Sequence, residues 1–192
     1  MTRLSSPKPV RRQCGVAMVE FALIAPIFFL LLFGAIEFGR LLYLWNTVQE
    51  VTRNAARQAV VTDFRNLVVS PNTVGEIDMI KRSAVFRTSP GALPGSGDLT
   101  DAKVRIRYLN DKFIEVNTNT LSPADNVANC APSPPLANCI AFVEVCVSED
   151  ANCAIGVPFH PLVGYLSLLA DVHIPPSTMR MPAESLGFRP GM

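Results

Sequence analysis

The sequence predicts an α+β protein: one long N-terminal helix, then a small domain with a short helix and a three- to four-stranded antiparallel sheet. Three observations carry that prediction. A 21-residue apolar run, 16–36, stands behind a short basic segment. An apolar periodicity of three and four residues continues directly from it. Short alternating segments separated by Pro, Gly and Asn fill the second half. Helix first and strands later is an α+β pattern.

The 192 residues are 49% apolar and only 17% charged, so one segment is not made for water. The basic residues are unevenly placed. Arg3, Lys8, Arg11 and Arg12 precede the apolar run without an acid among them, leaving 13 basic against 16 acidic residues in the rest. A local cluster of this kind is not the footprint of a nucleic-acid binder.

As a helix, residues 16–36 span about 30 Å, the thickness of a bilayer core. Positive charge before the run and Glu37 after it place the N-terminus in the cytoplasm. The run is long for a signal peptide and lacks a small-x-small cleavage site at its end, which favours a retained anchor. Two residues interrupt it. Pro26 removes one helix hydrogen bond and should bend the helix. Glu20 puts a carboxylate among apolar side chains, at a cost of about 2.5–3.5 kcal/mol unless it finds a partner or reaches the interface.

Beyond the run, Leu41, Leu44, Trp45, Val48, Val51, Ala55 and Ala59 keep helical spacing, with Asn46, Gln49, Glu50, Arg53, Asn54 and Arg57 between them. One continuous helix over about 17–61 is expected, with Tyr43 and Trp45 as interfacial aromatics. The outer stripe suits packing on its own domain or on another subunit. A second helix is expected over 74–89, with Ile77, Ile80, Ala84 and Val85 on one side. Residues 89–97 are a loop by their Pro and Gly. Val104, Ile106 and Tyr108 alternate with Lys103, Arg105 and Arg107 as a half-buried strand. Asn110-Asp111 offers a turn into 113–116, predicting a hairpin. Residues 118–138 read as a long polar loop, 140–147 as a third strand and 171–174 as a fourth. Residues 162–170 are apolar but too short to cross a bilayer.

Cys130, Cys139, Cys146 and Cys153 lie downstream of the exporting segment. An even number there argues for two disulfides in an oxidising compartment. Of three pairings, Cys130–Cys139 with Cys146–Cys153 closes the shortest loops, and the others remain open. The spacing does not suit zinc, and His160 and His173 are the only histidines. No nucleophile elbow, zinc-protease helix, phosphate loop or acid pair is present, so the sequence offers no enzyme, no metal and no cofactor.

One segment resembles a known family. Gly15-Val16-Ala17-Met18-Val19-Glu20-Phe21 looks like a prepilin processing site. Residues 20–26, then Phe33-Gly34-Ala35-Ile36-Glu37-Phe38-Gly39-Arg40, then Ala55-Ala56-Arg57, are similar to the TadE-like pseudopilins of the tight-adherence (Tad) pilus system. The C-terminal Ser177-Thr178-Met179-Arg180-Met181-Pro182-Ala183-Glu184 resembles the end of that family. The likeness implies a minor pseudopilin with a pilin-like domain, cut after Gly15 by a prepilin peptidase, which would remove Cys14 with the leader. It implies an assembly role for Glu20 and Phe21, with Glu20 pairing to the freed amine of Val16 in a neighbouring subunit. Implied partners are the prepilin peptidase, other pilins and pseudopilins, the Tad assembly platform and inner-membrane lipid, in pilus assembly, initiation and surface adherence. The implied organisation is a basic cytoplasmic leader (1–15), a transmembrane helix (16–36), its amphipathic continuation (37–61) and a periplasmic α+β domain (62–192). The rival reading is an unprocessed membrane-anchored periplasmic binding or scaffold subunit.

Overall fold

The computed structural model describes residues 14–65, 74–162, 164 and 172–189. It is α+β: a long apolar helix, then short helices and an antiparallel sheet of three strands. The chain divides into two compact units, one ending at Gly39 and one starting at Arg40.

The first unit is the N-terminal part of α1 (Cys14–Ala59). The helix is long and apolar enough to cross a membrane, and no residue of its most apolar stretch is buried by protein. Phe21, Ile24, Phe28 and Leu31 are all exposed. A helix apolar on every side belongs in a core or in lipid. The helix runs through Pro26.

The second unit is built on the rest of α1. Leu44, Val48, Val51, Ala55, Ala56 and Ala59 are at most 2% exposed and form one wall of the core. The predicted stripe is therefore used within its own unit, except that Trp45 stands out of it and half exposed. Three alanines let neighbouring elements approach the helix closely. α2 (Glu76–Ala84) adds Ile77, Ile80 and Ala84 to the core. It is shorter than the expected 74–89. Gly75 caps its start, and Phe86 takes φ 57°, a left-handed turn that a helix cannot pass through.

The sheet has the order β1 (Val104–Leu109), β2 (Phe142–Val147), β5 (Thr178–Pro182), all antiparallel. Val104, Ile106 and Tyr108 face the core with Val143, Val145 and Val147, as their alternation requires. Met179 and Met181 pack on the same core. The predicted hairpin is only partly formed. Asn110 turns the chain, with Oδ1 accepting from the N–H groups of Lys112 and Ile114, both at 2.9 Å. The return over 113–116 makes a single bridge, Leu109 to Glu115, rather than a strand. The strand beside β1 is β2, which begins 33 positions after β1 ends.

Two further departures matter. The expected loop 118–138 contains α3 (Pro123–Cys130), opened by a Ser122–Asp125 capping box with Pro at its first turn. The expected fourth strand, 171–174, appears as β4 (His173–Ile174), which pairs with β3 (Val157–Pro158) in a separate two-stranded sheet; Asp171 lies outside the described residues. Of the apolar stretch 162–170 only Leu162 and Gly164 are described.

Candidate functional site

Gly15 and Val16 lie in the first turn of α1, directly after Cys14, and Glu20 and Phe21 lie one turn further on. Val16 is 57% and Phe21 72% exposed. Val16 and Glu20 are four residues apart and so share one face of the helix. A Cβ added at Gly15, Gly34 or Gly39 would meet nothing within 4 Å. Among the described residues, no packing calls for glycine at these positions. The leader before Cys14 lies outside the described residues.

The second unit carries most of the polar chemistry. Glu37, 1% exposed, follows the apolar run and belongs to the first unit. Arg40 follows one turn later. Its Nη1 donates to the His160 carbonyl at 3.0 Å, its Nε donates to the Gly95 carbonyl at 3.3 Å, and its guanidinium lies 4.7 Å from the Phe159 ring centroid. His160 is exposed, with Nδ1 2.8 Å from Asp98 Oδ1. His173 is exposed too. Among the described residues no group of three or more His, Cys, Asp or Glu could hold a metal.

Two disulfides staple this unit. Cys130–Cys139 ties α3 to the approach of β2, and Cys146–Cys153 ties β2 to the loop after it. Asp150 organises that loop. Its carboxylate accepts from Ser148 Oγ and from the N–H groups of Asn152, Ala154 and Ile155. The Ser148 hydroxyl, then these amides, hold the carboxyl down at about 2.

A polar cluster that the sequence reading did not reach crosses all three strands. Arg107, Glu144 and Arg180 are direct register partners on β1, β2 and β5. Arg107 Nη1 donates to Glu144 Oε1 at 2.9 Å, and Arg180 Nε donates to Glu144 Oε2. The Glu144 side chain is 1% exposed, against 20% and 52% for the two arginines. Arg180 also stacks over Phe113, which contacts Phe142. On the other face, the Tyr108 hydroxyl is buried without a partner among the described residues. Burial first, then Asp63, pushes its pKa well up. Asp63 itself is lowered: burial works against this, but hydrogen bonds and charge from Arg65 outweigh it.

Residues 15–57 match the family model of the TadE-like protein. The match starts at Gly15 and ends within two residues of the end of α1, covering the apolar run and the helical wall of the core. No curated protein and no solved structure matches the chain. The TadE-like segment thus takes in Gly15, Val16, Glu20, Phe21, Pro26, Glu37 and Arg40. The sheet, the disulfides and the Arg107–Glu144–Arg180 cluster lie beyond it.

Proposed function

We propose that this chain is a minor pseudopilin of a Tad-type pilus, a structural subunit rather than an enzyme. The observation that carries the reading is the TadE-like match over residues 15–57, on a helix that is apolar on every side and begins beside Gly15. The chain inserts with its N-terminus in the cytoplasm and its second unit in the periplasm. A prepilin peptidase cuts after Gly15. The free space beside Gly15 supports this, since no described residue lies within 4 Å of a Cβ added there.

Cleavage frees an α-amine on Val16, with an ordinary pKa of about 7.7–8.0. Glu20 of one subunit then pairs with that amine on the next. In hydrocarbon the pair replaces two isolated charges. Gly34 and Gly39, with open space where a Cβ would stand, let neighbouring helices approach closely. In this way the subunit joins other pilins and the assembly platform and helps start a filament for surface adherence.

Intact-mass measurement on the native protein tests the processing step. Loss of residues 1–15 is expected, and Gly15→Val should retain them. A native protein that keeps its leader overturns processing and leaves an anchored periplasmic scaffold. Glu20→Ala should abolish co-purification with other pilins while leaving membrane insertion intact. Unchanged co-purification and unchanged pili would refute the pairing.

A further inference from the structure

Within the second unit, β5 is an outer strand of the three-stranded sheet. Its ladder with β2 shows where its main-chain groups point. The Ala183 N–H donates to the Ala141 carbonyl at 2.8 Å, in the same register as the strands. Bonded and non-bonded pairs alternate along an antiparallel ladder. Met179 and Met181 therefore turn their main-chain groups to β2, and Thr178, Arg180 and Pro182 turn theirs away from it. Among the described residues, nothing accepts from the N–H of Thr178 or Arg180. A groove of about 300 Å³ lies along the start of this edge. One wall is α1, with Trp45, Gln49, Thr52 and Arg53, and the other is 175–179. The Thr52 and Ser177 hydroxyls meet at 3.1 Å, and the Glu184 N–H donates to the Val60 carbonyl at 3.3 Å, so β5 advances along α1 in the same sense.

We infer that this edge takes an extended acidic segment of a partner protein as an added strand. Thr178 and Arg180 each offer it one N–H and one C=O, the main-chain part of strand addition. Pro176 and Pro182 lie on the same side of the strand path and have no N–H to give, so they confine pairing to a short segment and discourage longer edge-to-edge pairing. The groove supplies the side-chain part. Trp45 is 46% exposed and, with Pro175, Pro176 and Met179, suits an apolar side chain. Arg53 is the only charged residue on the lining, is exposed, and makes no ion pair among the described residues. A carboxylate is its complement. Trp45 and Arg53 are eight residues apart, about 12 Å along a helix. Strand residues four positions apart share a face and are about 13 Å apart. The segment therefore carries its apolar side chain and its acid four positions apart. Neither cleavage after Gly15 nor filament assembly is required for this contact.

Trp45 is the only tryptophan, so the emission of the full chain in an uncharged detergent reports on the groove. The probe is a capped nine-residue threonine peptide with valine at its centre and glutamate four residues to either side. A saturable change in emission is expected, together with slower exchange of the Arg180 amide proton. Lysine in place of both glutamates should abolish binding. N-methylation of every second amide should abolish it in one of the two phases and spare it in the other. Arg53→Gln should weaken binding about threefold, as the loss of an exposed ion pair allows. Thr178→Pro removes an N–H that bonds to nothing in the free chain, so it should keep the melting temperature and lose the peptide. Arg53→Gln and the methylated peptides decide the matter should Thr178→Pro fold poorly. No saturable change overturns the site. Equal binding of the lysine peptide, or an unweakened Arg53→Gln, overturns the acidic partner, and equal binding of both methylated peptides overturns strand addition. Self-association of the chain without peptide, abolished by Thr178→Pro, would seat a second copy on the edge and overturn the partner.

Discussion

Glu144 carries the largest single-residue consequence. Its carboxylate is shut in between Arg107 and Arg180. Removing it leaves two facing guanidiniums, of which Arg107 keeps its bond to Glu115 at 3.2 Å and Arg180 loses its carboxylate. Breaking a buried pair from one side costs about 3–5 kcal/mol. Arg180 is half exposed and can turn to water, so Glu144→Ala should fall near the lower end of that range. Arg180→Ala should cost only about 1 kcal/mol. Urea unfolding of the full chain in detergent measures both, and equal losses would contradict the asymmetry of burial. Asp150 gives a pH signature of opposite exposure. Its carboxyl is held at about 2 in the folded chain against an ordinary 3.8. A depressed carboxyl stabilises above its unfolded value, and that contribution fades as the pH falls through the folded one. The melting temperature of the native chain should therefore exceed that of Asp150→Asn at pH 6, and the gap should close between about pH 4 and pH 2. A gap independent of pH would refute the carboxylate's role. Gly156 shows a third kind of constraint. A Cβ there would stand 2.4 Å from the Ile174 carbonyl oxygen on β4. Gly156→Ala should separate β3 from β4, seen as faster amide exchange at Phe159, whose N–H donates to the Val172 carbonyl next to the pair.

At the level of elements, legibility followed the source of each element's stability. α1 could be read because its unbroken apolar run and its core-facing periodicity are both written locally. β1 could be read because its charges and apolar residues alternate. α3 is hard to read from sequence because Pro, Asn and Cys are poor helix formers, although Ser122-Pro123-x-Asp125 is a start signal in itself. That box is the element's main local support. Ser122→Ala should destabilise the chain by about 1 kcal/mol in denaturant titration. A loss near zero would mean that the Cys130–Cys139 bond alone fixes the helix. β5 was hidden for another reason. Thr178-Met179-Arg180-Met181-Pro182 is too short and mixed to declare a strand, and it becomes one only by pairing with β2. The Arg107–Glu144–Arg180 cluster depends on that pairing and on the register of residues 37 and 36 positions apart. No local pattern encodes such a register. The candidate assembly residues stand at the other extreme. Gly15, Val16 and Glu20 are legible only in sequence, since inside one chain they touch little.

Across the whole molecule, α1 belongs to both units, and its two halves are built for different surroundings. The half up to Gly39 buries almost nothing within the chain, whereas the half from Arg40 supplies a wall of the core. Stability of the second unit should thus depend on helix residues that lie inside the TadE-like match. Full burial of a Leu or Val side chain is worth about 1.5–3 kcal/mol. Leu44, Val48 and Val51 together therefore approach the whole stability of an ordinary domain, about 5–15 kcal/mol. A fragment covering 40–192 keeps all of them and both disulfides. Expressed in an oxidising compartment, it should be soluble without detergent and should melt cooperatively. A fragment covering 62–192 keeps the sheet, α2, α3 and the disulfides but leaves the core face of the sheet uncovered. It should aggregate or bind a hydrophobic dye strongly, and restoring only the polar flank of α1 should not rescue it. A cooperative melt from 62–192 equal to that of 40–192 would mean that the outer half of the helix is a stalk. Failure of 62–192 alone would mean that the segment matched by the family is also part of the domain core. The helix could then not be exchanged without refitting the sheet that packs on it.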